Sequence, residues 1–312
     1  MVDDQGQQVG AGSALAPGGR PAPRAGASAP AASVVGVRVA GGTLNDDLRA
    51  IRVVWKRELI RFSRNRIRIV TSLVQPILFL FVLGTGLSPI LSGSDHFNFR
   101  TFMFPGVIGM TVLFTAIFSA ISIVWDREFG FLREMLVAPV HRSALVLGKC
   151  LGGATVATIQ GAIMLALAGA VGVPYHPLML LILIGEIALT AFALTVFGVL
   201  MASRISQIEA FQVVTQMVVL PMFFLSGAIF PTSKLPQWLA VLTKIDPLSY
   251  AVDPLRRTVF SQIALSPRLN ALLNPGVTWN GWRLPTLLEL AMVAVAAGVM
   301  LFVAILQFSR TD

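Results

Sequence analysis

Six apolar stretches, at about 69–90, 102–124, 144–171, 178–202, 210–230 and 285–307, dominate this chain of 312 residues. As a helix, each is long enough to cross about 30 Å of hydrocarbon at 1.5 Å per residue. Lipid offers no hydrogen bonds to the backbone, so a spanning segment must satisfy its own N–H and C=O groups and coils into a helix. The expected fold is all-α, a polytopic membrane protein with six transmembrane helices. A content of 55% hydrophobic and 12% charged residues agrees, lying outside the range of soluble domains.

By count alone the formal charge of +9 would suit a nucleic-acid partner, but its distribution argues against one. Residues 1–68 carry eleven Arg or Lys against five acids, stacked against the first apolar stretch. That is the pattern of a cytoplasmic flank of a membrane span. The connections further along alternate in the same sense. Arg127, Arg133, Arg142 and Lys149 flank the second-to-third connection, Arg204 sits in the fourth-to-fifth turn and Arg310 in the tail. The short connections on the other side carry only Arg100. Both termini are expected in the cytoplasm, although the long last external connection, 231–284, is itself basic.

Residues 1–43 form an Ala/Pro/Gly-rich tail expected to be disordered, without the apolar core of a signal peptide. The membrane domain is expected over 44–312. It opens with a capping-box spacing at Thr43 to Asp46. Leu44, Leu48, Ile51, Trp55, Leu59 and Phe62 then recur at steps of three or four among basic residues. This predicts an amphipathic interfacial helix. Gln75-Pro76 should kink the first span, and 172–177 should close a tight hairpin. In the last external connection, Asp246-Pro247 and Asp253-Pro254 each read as a helix start. Trp238 and Tyr250 suit a membrane surface.

The segment Asp126 to Arg142 packs charges of both signs between two spans, and lipid cannot hold them. Asp126 suits a helix cap, Phe129, Leu132, Met135 and Leu136 form an apolar stripe, and Arg127, Glu128, Arg133 and Glu134 face away until Pro139. It reads as a cytoplasmic helix or as a docking element for something outside the membrane.

No phosphate-cradling loop is present in the sequence; the Gly148-Lys149 pair lacks the upstream glycine and is followed by Cys150. Motifs of zinc proteases and serine hydrolases are also missing, and a lone cysteine with three scattered histidines suggests no metal site. The chain is therefore not expected to be an enzyme. Glu186 lies inside the fourth span, as either a functional carboxylate or a hydrogen-bonded structural group. Gln75, Gln160, Gln212 and Gln216 either line a pathway or bond across helices, with bonding preferred, and Gln75, Gln212 and Gln216 with Glu186 make up the candidate pathway set. Gly148, Gly152, Gly153, Ala157 and Gly161 should permit close helix approach within or between subunits.

Three blocks carry a family resemblance. They are Arg64-Asn65-Arg66 leading to Val74-Gln75-Pro76, the strip Asp126 to Arg142 with Gly148-Lys149, and Phe224 to Pro231 running through Leu235-Pro236 to Asp246-Pro247-Leu248-Ser249-Tyr250. Over roughly 45–310 the chain resembles the ABC-2 type permeases, the membrane subunits of ATP-binding-cassette exporters, in the branch of daunorubicin-type drug exporters and nodulation-factor exporters.

The resemblance implies a coupling helix between the second and third spans, seated on a partner ATPase, and short re-entrant external helices before the sixth span. It places Asp126, Arg127, Glu128, Phe129, Gly130, Phe131, Leu132, Arg133, Glu134 and Met135 at that contact, with Trp55, Lys56, Arg57, Glu58 and Arg61 as a second one. It implies no cofactor in this chain, ATP and Mg on an ABC ATPase subunit, a homodimer or a heterodimer with a related permease, and a bacterial plasma membrane. A hydrophobic or amphipathic, drug-like substrate is expected. A polysaccharide, lipid or lipo-oligosaccharide exporter is the alternative, and a proton-coupled antiporter a more distant one.

Overall fold

The computed structural model describes residues 44–91, 98–129, 141–232, 235–263, 266–279 and 281–310. The chain divides into two units, Met1–Val39 and Ala40–Asp312, and the described residues all belong to the second. The expected tail, the Thr43 capping box and the strip from Gly130 to Val140 lie outside the described residues.

Helix α1 (Leu44–Arg64) carries Asp46 and Asp47 in its first turn and Arg61 and Arg64 in its last, each sign opposing the helix dipole. It stops at Asn65, whose side chain accepts from the Arg68 N–H at 3.0 Å and caps α2 (Arg66–Leu78). Pro76 lies inside α2. Its ring supplies no N–H, and one turn later the helix widens into a π stretch, Phe79–Leu83, before α3 (Gly84–Leu91) resumes.

Helix α4 (Phe99–Ser119) is the spine of the bundle. It is buried almost all round and meets α2, α6, α7, α8 and α10. A helix apolar on every face must be surrounded by others. It turns at Ala120 into α5 (Ile121–Glu128), and together they form an apolar rod of 30 residues. At 1.5 Å per residue the rod is about 45 Å long, more than hydrocarbon needs, so α5 reaches beyond the span.

Then α6 (Arg142–Leu165) runs back. The third apolar stretch was expected to stay helical to about residue 171, but the α-helix ends at Leu165 and a short 3-10 turn, Ala168–Val171, comes next. The Tyr175 hydroxyl bonds Ala166 O and Gly169 N there, and Gly172 closes the hairpin at φ +81°. Helices α7 (Pro177–Ala202) and α8 (Ile208–Leu225) complete five spans, and α12 (Thr286–Arg310) is the sixth.

Between α8 and α12 lie α9 (Gln237–Ile245), α10 (Ser249–Phe260), α11 (Pro267–Leu273) and a hairpin of β1 (Thr278–Trp279) with β2 (Trp282–Arg283). Helix α10 is sunk against α4, α7 and α12. Two glycines of α4 admit this region. A Cβ on Gly106 would lie 2.6 Å from the Ala228 Cα, and one on Gly109 2.7 Å from the Val252 Cγ2.

Asp246-Pro247 does precede a helix, with Asp246 accepting from Leu248 N and Ser249 Oγ at 3.2 Å each. Asp253-Pro254 does not start one; both residues lie inside α10. The Asp253 carboxylate is drawn to Arg257, one turn on, and to the Val277 N–H, and Arg257 also pairs with Glu289 of α12 at 2.9 Å. A tertiary charge network has claimed the acid that local pattern assigned to a cap. Arg256 is buried over the Phe102 ring, and that burial draws its guanidinium down to about 10.

The spaced glycines of α6 act within the subunit. Gly148 and Gly152 face α1: added Cβ atoms would lie 2.8 Å from Val54 and 2.7 Å from Glu58. Gly153 faces Ser119 and Thr195, and Gly161 faces Ile187 and Val112. Helix α1 thus runs beside α6 in the same direction, from the Asp47–His141 contact to the Glu58–Gly152 contact. Its buried side is centred on Val54, and Leu44 and Leu48 of the predicted stripe stay exposed.

Gly148→Leu should push α1 off α6 and lower the melting temperature in detergent, at a cost of about 1–3 kcal/mol for overpacking; an unchanged melt would refute the close approach. Burial pushes the Asp246 carboxyl up to about 7, against the bonds from Leu248 and Ser249. A carboxyl raised in the folded state favours folding fully only below its ordinary range, and that contribution is lost as pH rises from about 4 through 7. The melting temperature should therefore fall over this window more steeply in the parent than in Asp246→Asn.

Candidate functional site

The described end of the charged strip converges on a buried charge cluster. Lys149, one to two turns into α6, is only 8% exposed, and such a charge needs partners. Its Nζ lies 2.6 Å from the Asp126 Oδ2 of α5 and 3.2 Å from the Glu58 Oε1 of α1, and donates to the Ser122 Oγ at 3.0 Å. Arg57 of α1 reaches the same two carboxylates at 3.3 and 3.7 Å. Two positive and two negative groups thus join α1, α5 and α6, and Trp55 adds a bond from its Nε1 to the Thr155 Oγ1 at 3.0 Å.

The neighbouring charges are tied to other helices. Arg127 donates to the carbonyls of Ser203 and Ile205 at 2.9 and 3.3 Å, satisfying acceptors where α7 ends. The Glu128 Oε2 accepts from the Ile208 N–H at 2.9 Å, where α8 begins and the dipole favours an anion. On the other side of the strip, His141 pairs with Asp47 of α1 at 2.7 Å and Arg142 donates to the Phe308 carbonyl of α12 at 3.0 Å. Hence α1, the α7–α8 turn and the end of α12 all anchor the roots of one segment.

Among the predicted contact residues, Asp126, Arg127 and Glu128 therefore point into the chain itself. Phe129 is 56% exposed, beside the Trp125 ring at 5.3 Å. Gly130, Phe131, Leu132, Arg133, Glu134 and Met135 lie outside the described residues. The α1 candidates divide: Arg57 and Glu58 join the cluster, Trp55 packs on α6, Lys56 is exposed, and Arg61, though exposed, lines the cavity that adjoins the cluster. The structural weight of Lys149 escaped sequence reasoning. Its signal was a lysine within an apolar stretch, which demands a carboxylate somewhere in the fold.

A cavity of about 600 Å³ adjoins the cluster, bounded by α1 and α2, α4 and α5, α6, and the start of α8. Gln75 and Gln212 line it. Gln160 braces its wall, donating to the Ser72 Oγ at 2.6 Å and bonding Thr115. Gln216 is exposed away from it, and Glu186, 4% exposed, faces the Thr258 hydroxyl of α10 at 2.9 Å. The predicted pathway set is therefore split across three places.

The ABC-2 type transporter family matches residues 49–260, which include α1, the cluster, the cavity and α10. Nodulation protein J of Rhizobium leguminosarum bv. viciae is 28% identical over 243 residues, covering 77% of this chain and 92% of the relative. Nodulation protein J of Rhizobium meliloti (strain 1021) is 27% identical over 206 residues, 65% of this chain and 78% of the relative. The "Probable multidrug ABC transporter permease YbhR" of Escherichia coli (strain K12) is 27% identical over 188 residues, 57% and 49% of the two chains. With six apolar helices of spanning length and a family match over most of its length, the chain is a multi-pass membrane protein belonging to the ABC-2 type transporter family.

Proposed function

We propose that this chain is the permease half of a bacterial ABC exporter, worked by ATP and Mg held on a separate ATPase subunit that docks at the strip between α5 and α6. The observation that carries the reading is the tethering of that strip's two roots to α1, α7, α8 and α12. A push there is felt by several spans at once. Because Asp126, Arg127 and Glu128 are engaged internally, they act as positioning residues, and the docking contact falls to Phe129 and the residues after it. Lys149 is held by two carboxylates, which supports reading Gly148-Lys149 as structural and leaves hydrolysis to the partner.

ATP drives such a cycle only through different affinities of the ATPase dimer for its open and closed states. The cluster passes that difference on as a displacement of α1 with α5 and α6. Gathering Arg127, Arg142, Lys149 and Arg204 at one end of the bundle supports a cytoplasmic face there, with both termini on that side in a plasma membrane. Two permease halves, alike or related, would complete the unit. The transported molecule is hydrophobic or amphipathic and drug-like, in keeping with the cavity's mixed walls and with the name of the Escherichia coli relative. Glu186, on which a proton-coupled antiporter would rest, bonds Thr258 instead of lining the cavity, which favours the ATP-driven reading.

Reconstitution with the co-purified ATPase should give ATP-dependent flux of amphipathic substrates; flux by the chain alone in ATP-free vesicles would overturn the proposal. Lys149→Met should lose about 3–5 kcal/mol of stability by stranding buried carboxylates. Pairing it with Asp126→Leu leaves Arg57 and Glu58 balanced and should recover most of the melting temperature. If that pair also transports like the parent, the charges hold the fold but do not transmit motion.

A further inference from the structure

The cavity beside the cluster is unevenly charged. Among the described residues that line it, Glu58 is the one acid, and Arg61 and Arg68 are the bases. Glu58 is already neutralised, lying 3.2 Å from the Lys149 Nζ. Arg61 has no acidic partner among the described residues, and Arg68 donates only to a carbonyl, that of Phe118, at 3.3 Å. Two guanidinium groups are left over, both exposed at the cavity's open side, beside walls that are otherwise mostly apolar. Guanidinium matches planar or tetrahedral oxyanions with paired hydrogen bonds.

The rest of the wall is equally specific. Phe114 and Phe118 stack 6.2 Å apart with their rings 12° from parallel, giving a flat apolar face. Gln75 and Gln212 line the same space, and their side chains make no hydrogen bond among the described residues. The volume of about 600 Å³ lies within the range of sites for drug-sized ligands, roughly 300–1,000 Å³.

We infer that this cavity binds an amphipathic molecule with an anionic head, a sulfonate, phosphate or carboxylate, held by Arg61 and Arg68. Its flat apolar body lies on Phe114 and Phe118, and its neutral polar substituents meet Gln75 and Gln212. A cationic amphiphile of the same shape is repelled. Calling this ligand the transported substrate rests on the exporter reading; the binding itself does not.

The test uses the full chain in nanodiscs of zwitterionic lipid and two dansyl dyes identical except for a terminal sulfonate or quaternary ammonium. Anisotropy should show the sulfonate dye binding at least about tenfold more tightly, since one charge-assisted pair contributes about 1.5–3 kcal/mol. Arg61→Gln with Arg68→Gln should abolish the preference, and Arg49→Gln with Arg52→Gln, elsewhere on α1, should keep it. Should the first pair fail to fold, Gln212→Trp fills the cavity from α8 and should block the dye. Equal binding of both dyes, or equal loss in the control pair, overturns the inference. ATP-dependent flux by the parent that is as fast for the quaternary-ammonium dye as for the sulfonate dye would overturn it while leaving the exporter reading intact. No flux of any substrate with the ATPase would sink the exporter reading while sulfonate binding stood.

Discussion

The architecture around the charged strip depends on neutralising one lysine. Lys149 sits in a helix whose other residues suit lipid or a packed interior, and an ammonium there is tolerable only if carboxylates arrive from neighbouring elements. Asp126 comes from α5 and Glu58 from α1, so the requirement fixes three helices against one another. Arg57 then balances the second acid. Replacing such a group by apolar residues often costs a fold little, and its charge is therefore better understood as setting which helices meet, and in what register, than as a source of stability.

Close approach is the complementary condition. The carboxylates reach Lys149 because Gly148 and Gly152 remove the side chains that would hold α1 away from α6. At the other end of the bundle, Gly106 and Gly109 let the 226–231 segment and α10 lie on the backbone of α4. Without a hydrophobic effect between helices in lipid, packing of this kind and a few polar contacts carry association. The same small residues therefore bring both ends of the molecule together, one around ions and one around a buried helix.

Much of this was legible in the residue order. Hydropathy located six spans within a few residues, because length and apolar composition are local properties. The proline after Gln75 predicts a kink in its helix; one turn later the structure has a π stretch at Phe79–Leu83. Partners across the fold were not legible. Asp253 read as a cap because an acid before proline is one locally, yet Arg257 and the Val277 N–H claimed it. Gln75, Gln212 and Gln216 looked equivalent along the chain, but the cavity reaches only the start of α8, and Gln216, on the same face as Gln212, sits about 6 Å further along the axis, past its edge. Arg127 and Glu128 looked free because their acceptor and donor, the α7–α8 turn, lie some eighty residues away.

Asn65 shows how such a molecule bends. At most points along a helix, each backbone N–H is tied to a carbonyl four residues earlier, and a hinge would have to break several bonds. Between α1 and α2 the crossing is thinner: the Asn65 N–H reaches the Phe62 carbonyl at 3.0 Å, the Ile69 N–H the Asn65 carbonyl at 3.2 Å, and the Arg68 N–H is held by the Asn65 side chain instead. Swinging one helix against the other there forfeits about one or two of these exposed hydrogen bonds, on the order of 1 kcal/mol each. The joint behaves as a universal coupling between a shaft gripped by α6 and a span seated in lipid: α1 can tilt with its charged neighbours while α2 keeps its own ladder whole.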